Sequence, residues 1–147
     1  MQTPFQKLRL YHSPDKLIPL DQGNPDASIW IILHQHEIEA NHLPFLEKVF
    51  QSVHINIYRD AAIFSLPKNN TFRIYPLINQ NKKHVFCFGL QSNQLGLNFN
   101  TSVYTIIELQ RHTFLFCNSL EVIQKSSFDK KQLWSLLKQI APALNET

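Results

Sequence analysis

The densest group of reactive side chains in this 147-residue sequence is His34-Gln-His36-Glu37-Ile-Glu39, with His42 close behind. If the chain is extended here, residues i and i+2 point to the same side, so His34 and His36 face one metal ion. Glu37, Glu39 and His42 are then further ligands. Neither the His-x-His-x-Asp-His nor the His-Glu-x-x-His spacing of metal-dependent hydrolases is present. The spacing therefore favours histidines that make ordinary hydrogen bonds and leaves a metal site as the alternative.

Other residue types that perform catalysis form no recognised pattern. Cys87 and Cys117 lie in apolar runs with no Cys-x-x-Cys spacing, which predicts buried free thiols in a reducing compartment. No Gly-x-Ser-x-Gly sequence provides a serine nucleophile. Only three glycines occur, which argues against phosphate-binding loops. The sequence thus predicts no catalytic residue, no cofactor and no bound metal.

The overall composition predicts an ordinary globular protein. Hydrophobic residues make up 44% of the chain, enough for one core, and the net charge of +3 is low for a protein that binds nucleic acid directly. The first residues do not resemble a signal peptide, and no apolar run approaches the roughly 20 residues of a membrane span. We therefore expect a cytoplasmic protein with no membrane contact.

After residue 27 the sequence predicts a strand, an amphipathic helix and a second strand, which is the unit of a parallel sheet. Continuous apolar residues from Ile29 to Leu33 are typical of an interior strand covered on both faces. The predicted ranges are a strand at Ser28–His34, a helix at Leu43–Val53, a strand at His54–Arg59 and a short helix over Arg59–Leu66 that stops at Pro67.

The second half predicts more strands and a helical end. Apolar segments predict strands at Thr71–Leu77, Val85–Leu90, Val103–Gln110 and Thr113–Cys117. Ser119 is placed to cap a helix, and Ser126 and Asp129 have capping-box spacing before the last helix. The buried stripe of that helix is predicted to comprise Leu133, Leu136, Leu137, Ile140 and Leu144. The predicted fold is a single α/β domain over residues 28–147. It has a central mixed, largely parallel sheet of about four to five strands, flanked by helices, with the C-terminal helix packed on it.

Residues 1–27 form a separate, irregular N-terminal arm. This arm holds half of the eight prolines and shows no sustained period. It is nevertheless too apolar for an inert tail, so it either packs on its own sheet or docks on a partner. The residues that we expect to anchor it on a partner are Phe5, Leu8, Leu10, Leu17 and Ile18.

Trp134 is the second candidate for partner binding. On a helical projection it lies off the buried stripe, beside Lys130, Lys131 and Lys138. An indole bordered by lysines suits a partner surface or a stacking platform. The alternative is a large side chain that closes the edge of the core beneath lysine stems.

The order of elements resembles the psi subunit family of the bacterial DNA polymerase III clamp-loader assembly. That family has an irregular arm, an apolar strand, a helix of the type Leu-Pro-Leu-Leu-x-x-Val-Leu, then a strand and a short helix ending in Leu-Pro. Its C-terminus carries a segment of the type Ser-x-Ala-Leu, followed by one of the type Lys-x-x-Leu-Trp-x-x-Ile. The counterparts here are Ile29–Leu33, Leu43–Phe50, Ile55–Tyr58, Ala61–Pro67, Asn118–Leu120 and Lys130–Ile140.

The resemblance implies a non-enzymatic adaptor that links a clamp-loader ATPase, gripped by the arm, to another replication protein such as a chi-like subunit. The psi fold is also similar to that of uracil-DNA glycosylases, which gives a base- or nucleotide-processing hydrolase as an alternative. That alternative requires a deep polar pocket near His34, His36 and Asn118. Against it, Gly89–Asn93 and Cys117–Leu120 lack the Asp, Tyr and His of the glycosylase loops. A protein-interaction domain with a different partner is the third alternative.

Overall fold

The computed structural model describes residues 20–24, 26–67, 82–95, 102–109 and 111–145. The predicted strand at Thr71–Leu77, and residues 1–19 of the predicted arm, lie outside these ranges. In chain order the elements are β1 (Leu20–Gly23), β2 (Ile29–His34), α1 (Gln35–Glu39), α2 (Leu43–Gln51), α3 (Ile57–Asp60), β3 (Ala61–Leu66), β4 (His84–Phe88), a 3₁₀ helix (Ser92–Leu95), β5 (Ile106–Leu109), β6 (His112–Cys117), α4 (Leu120–Lys125) and α5 (Ser127–Asn145).

The described strands form one six-stranded sheet in the order β1-β3-β2-β4-β6-β5. Strands β3, β2, β4 and β6 run parallel to one another, and β1 and β5 are antiparallel strands at the two edges. This confirms the predicted α/β class with a mixed, largely parallel sheet. The sheet has six strands rather than four or five. One of them, β1, comes from residues 20–23 of the predicted arm, which pair with β3.

Strand β2 has the burial expected for the centre of the sheet. Every residue from Ile29 to Leu33 is buried, because β3 and β4 cover both of its edges and side chains pack on both of its faces. On one face Ile31 and Phe86 pack with Leu46 and Phe50 of α2 and with residues of α4 and α5. On the other face a second cluster contains Trp30, Ile32, Cys87, Phe116, Leu90 and Leu95. The continuous apolar run therefore predicted this element correctly.

The segment after α2 was predicted wrongly. Residues 57–59, expected in a strand, form the one-turn helix α3 together with Asp60, and Ala61–Leu66, expected to be helical, is strand β3. The Asn56 side chain accepts a hydrogen bond from Tyr58 N at 3.0 Å and so caps the turn. Pairing with both β1 and β2 makes Ala61–Leu66 extended. Burial on both faces removes the alternation that identifies a strand in sequence.

The C-terminal helices agree with their predicted signals. The Ser119 side chain accepts a hydrogen bond from Val122 N at 3.3 Å and so caps α4. Helix α5 packs its predicted stripe into the core, and all five stripe residues, Leu133, Leu136, Leu137, Ile140 and Leu144, are buried. The predicted buried free thiols, Cys87 and Cys117, are confirmed as well. Removal from water raises the pKa of both thiols.

Candidate functional site

The ligand sites of parallel sheets normally lie at the carboxyl ends of the strands, and here those ends touch one another. At the end of β2, His34 Nε2 lies 3.1 Å from the carbonyl oxygen of Gly89, which follows β4. Gly89 N in turn donates to Cys117 O at the end of β6, at 2.8 Å. A Cβ on Gly89 would lie 3.1 Å from Ser119 Cβ, so the backbone of Gly89 lies close to Ser119. The ends of three parallel strands are thus joined directly.

Glu37, in α1, closes this edge further. Its side chain is fully buried, and Oε2 accepts a hydrogen bond from Leu120 N, the first residue of α4, at 2.8 Å. His42 Nε2 lies 3.8 Å from the other carboxyl oxygen, and the opposite ring nitrogen of His42 contacts the Gln124 amide. A carboxylate at a helix N-terminus satisfies a backbone donor and interacts favourably with the helix dipole. Glu37 therefore fixes α4 to the end of β2.

A second polar cluster links the end of β6 to helix α5. The Asp129 carboxylate accepts hydrogen bonds from Tyr104 OH and from Asn118 Nδ2, both at 2.8 Å. Hydrogen bonds with Ser126 and then with Tyr104 lower the pKa of Asp129. Burial, and then the bond to the carboxylate, raises the pKa of Tyr104. Asn118, which the hydrolase alternative needs at its pocket, is thus engaged in an internal bond.

The two histidines are not arranged as the metal interpretation requires. Residues 35–39 are helical rather than extended, and the His34 and His36 rings stack with their centroids 5.4 Å apart. Glu39 accepts a hydrogen bond from Gln35 at 3.1 Å on the exposed side of α1. Within the described ranges, no three His, Cys, Asp or Glu side chains are placed to hold a metal ion together.

Of the predicted partner-binding residues, only Trp134 is described. Phe5, Leu8, Leu10, Leu17 and Ile18 lie outside the described residues. Trp134 is 48% exposed, its indole N–H donates to Ser52 Oγ at 3.1 Å, and Lys138 Nζ lies 4.3 Å from the ring centroid. Half exposure fits the interpretation of Trp134 as a partner surface, and the lysine over its ring fits that of a side chain at the edge of the core, so both interpretations stay open.

The exposed face of α5 extends beyond Trp134. Phe128, near the start of the helix, is 67% exposed. At 100° per residue, Trp134, Lys138 and Lys131 share a sector of about 60°, with Phe128 about 60° further round the helix. We call these four residues the Trp134 surface. It carries two aromatic rings and two cations on one side of a helix whose opposite side is buried.

Sequence reasoning missed the roles of Glu37 and Asp129. Both are buried carboxylates, and both partners lie far away in sequence: Leu120 is 83 positions from Glu37, and Tyr104 is 25 from Asp129. The only sequence signal for Asp129 is its capping-box spacing from Ser126. There Asp129 N donates to Ser126 Oγ, whereas Ser126 N donates to Ile123 O and not to the carboxylate of Asp129.

The chain matches no protein-family model, and a comparison with curated proteins finds no match either. None of the described helices is long and apolar enough to cross a membrane.

Proposed function

We propose that this protein is a non-enzymatic adaptor, of the kind its resemblance to the psi subunit family implies. It links a clamp-loader ATPase to a second replication protein such as a chi-like subunit. The observation that carries this proposal is the Trp134 surface, in which a half-exposed tryptophan lies beneath a lysine on a helix anchored to the sheet by five apolar residues.

The closed carboxyl edge supports a binding role over a catalytic one. His34 and Glu37 have the side-chain types of a general base or acid, but both are engaged in bonds that join parts of the fold. A catalytic group must reach a substrate atom within about 3 Å. In the described part of the edge, Gly89 N bonds to Cys117 O, and a Cβ on Gly89 would lie 3.1 Å from Ser119 Cβ, so these strand ends lie close together.

The chemistry of the Trp134 surface indicates what its partner presents. Tryptophan is enriched among the residues that carry most of the binding energy of protein interfaces. Lys131 and Lys138 beside it favour carboxylates on the other side, and charge complementarity of this kind mainly raises association rate and specificity. We assign this surface to the second partner, which then presents an apolar side chain flanked by acidic residues.

The N-terminal arm is assigned to the clamp loader. Its proposed anchors are Phe5, Leu8, Leu10, Leu17 and Ile18, all within 15 residues of strand β1. Strand β1 pairs with β3 through Leu20, Gln22 and Gly23. This pairing ties the beginning of the described chain to the sheet edge. Residues 1–19 can therefore be removed while β1 is kept.

Binding of the two partners should be separable, and this gives the test. The full chain, a variant lacking residues 1–19, and Trp134→Ala are each mixed with the purified clamp-loader ATPase subunit and with the chi-like subunit of the same host. Removal of the arm should abolish loader binding and preserve binding of the second partner. Trp134→Ala should weaken binding of the second partner by about 30-fold, as for an interface hot spot, and leave binding of the loader unchanged.

Tyr58→Ala is the matched control, because Tyr58 is an exposed aromatic side chain on a different helix, α3. It should bind both partners as the unaltered chain does. The proposal fails if the unaltered chain binds neither replication protein. It also fails if Tyr58→Ala weakens binding as much as Trp134→Ala. An interaction only with proteins outside replication would instead support the third alternative, a protein-interaction domain with a different role.

A further inference from the structure

A cavity of about 670 Å³ lies at the opposite edge of the sheet, at the amino ends of β2 and β4. Small-molecule sites are typically about 300–1,000 Å³. Four parts of the fold meet there: the turn between β1 and β2, the segment between α2 and α3, the start of β4 and the end of α5. The lining side chains that matter for recognition are His54, Ile55, Arg59, Lys82, Lys83 and Leu144.

Lys83 is the unusual residue of this cavity. The residue is only 4% exposed, and its ammonium donates to Ala27 O at 3.0 Å and lies 5.5 Å from the centroid of the Trp30 ring. An ammonium group carries three donors, and among the described residues one carbonyl accepts from it, which leaves donors for a bound group. Burial lowers the pKa of Lys83, and nearby Asp26 opposes this effect. Burying a charge without a counter-charge in direct contact is costly, and an anion in the cavity would offset that cost.

The charge balance of the cavity favours an anion. Arg59 is already paired with Asp60 through two hydrogen bonds, at 2.9 and 3.0 Å. Among the described lining residues, that leaves two cations, Lys82 and Lys83, against one carboxylate, Asp26. His54 lines the same cavity.

We propose that this cavity binds a small phosphate monoester of about the size of a mononucleotide. Lys82 and Lys83 contact the phosphate, and Ile55 and Leu144 pack against the uncharged part. A phosphate monoester carries close to two negative charges at neutral pH. It therefore matches the two lysines better than a ligand with one carboxylate would. The proposal does not depend on the adaptor function, because the Trp134 surface lies on α5 residues that do not line the cavity.

The test compares three probes on the full chain by isothermal titration calorimetry: AMP, adenosine and inorganic phosphate. AMP should bind with a Kd below about 1 mM. Adenosine should bind at least about tenfold more weakly, because it lacks the group that the lysines hold, and inorganic phosphate should compete with AMP. Lys83→Met should weaken AMP binding by about tenfold or more, the loss expected for one hydrogen bond to a charged group.

Lys125→Met is the control for net charge, because Lys125 is an exposed lysine on α4 paired with Glu121. It should bind AMP normally. Lys83→Met removes a buried charge, so its melting temperature should equal or exceed that of the unaltered chain, which separates binding from folding. If that variant does not fold, Lys82→Met, at an exposed position, serves the same test. Absence of AMP binding, equal affinity for adenosine, or unchanged affinity in the folded lysine variants would each overturn the proposal.

Discussion

Glu37 should be the polar residue whose loss most disturbs the carboxyl edge of the sheet. Replacing it by alanine removes the acceptor for Leu120 N, a bond of 2.8 Å made in a fully buried position. A hydrogen bond to a charged group contributes about 1.5–3 kcal/mol. The lost methylene adds about 0.8 kcal/mol. The contribution of the hydrogen bond to a charged group already includes the favourable interaction with the α4 helix dipole. We therefore expect Glu37→Ala to lower the free energy of unfolding by about 2.3–3.8 kcal/mol.

Glu37→Gln separates the hydrogen bond from the charge. The amide oxygen still accepts from Leu120 N, and the amide nitrogen occupies the side that lies 3.8 Å from His42. A neutral bond is about 1 kcal/mol weaker than a charge-assisted one, so the loss should be about 1 kcal/mol. Glu39→Ala, an exposed glutamate of the same helix, is the control and should change stability by less than about 0.5 kcal/mol.

Urea denaturation followed by circular dichroism measures all three variants, provided that the m-values agree. The expected order of stability is Glu39→Ala, then Glu37→Gln, then Glu37→Ala. The reasoning would be refuted by a Glu37→Ala protein within about 1 kcal/mol of the unaltered chain, because water or another donor arrangement would then be replacing the bond. A Glu37→Gln loss as large as that of Glu37→Ala would refute the assignment to the hydrogen bond and implicate the charge alone.

Three further outcomes follow from the described contacts. Gly89→Ala should destabilise the protein by about 1–2 kcal/mol, because Gly89 has φ +75° and the added Cβ would lie 3.1 Å from Ser119 Cβ. Urea denaturation measures this loss. An unchanged midpoint of the urea transition would mean that the strand ends can separate freely. Burial, with Lys82 as a smaller cause, lowers the pKa of His84 below 6.5, and both ring nitrogens are buried without a partner. The unfolded chain therefore binds more protons as the pH falls below about 6.5, so stability should be full above that value and decrease below it. His84→Phe should reduce this decrease in pH-dependent melting curves, and an unaltered pH profile would contradict the assignment. Tyr104→Phe should lower the free energy of unfolding by about 0.5–2 kcal/mol, because the Asp129 carboxylate loses the hydrogen bond that the Tyr104 hydroxyl donates to it. Thermal melting measures this loss, and an unchanged melting temperature would show that the hydroxyl makes no net contribution to stability.

Elements defined by near neighbours in sequence were predicted well. The apolar run at Ile29–Leu33 is strand β2, the Ser119 cap begins α4, and the leucine stripe of α5 is buried. In each case the deciding forces act within a few residues, through hydrophobic period or a side chain that bonds its own backbone. The prediction for strand β3 was wrong for the opposite reason. Its extended form depends on pairing with β1 and β2, and its own residues do not encode that pairing.

The candidate sites divide in the same way. The sequence alone determined that Trp134 lies beside lysines and off the buried stripe, because helical geometry fixes which residues are neighbours. It also showed that the chain lacks the established catalytic spacings. Only the tertiary structure decided that Glu37 meets Leu120 across 83 positions, and that Lys83 is buried beside a cavity formed by four separate segments. Such contacts depend on the register and order of the strands, which arise when distant segments pair and bury their surfaces together.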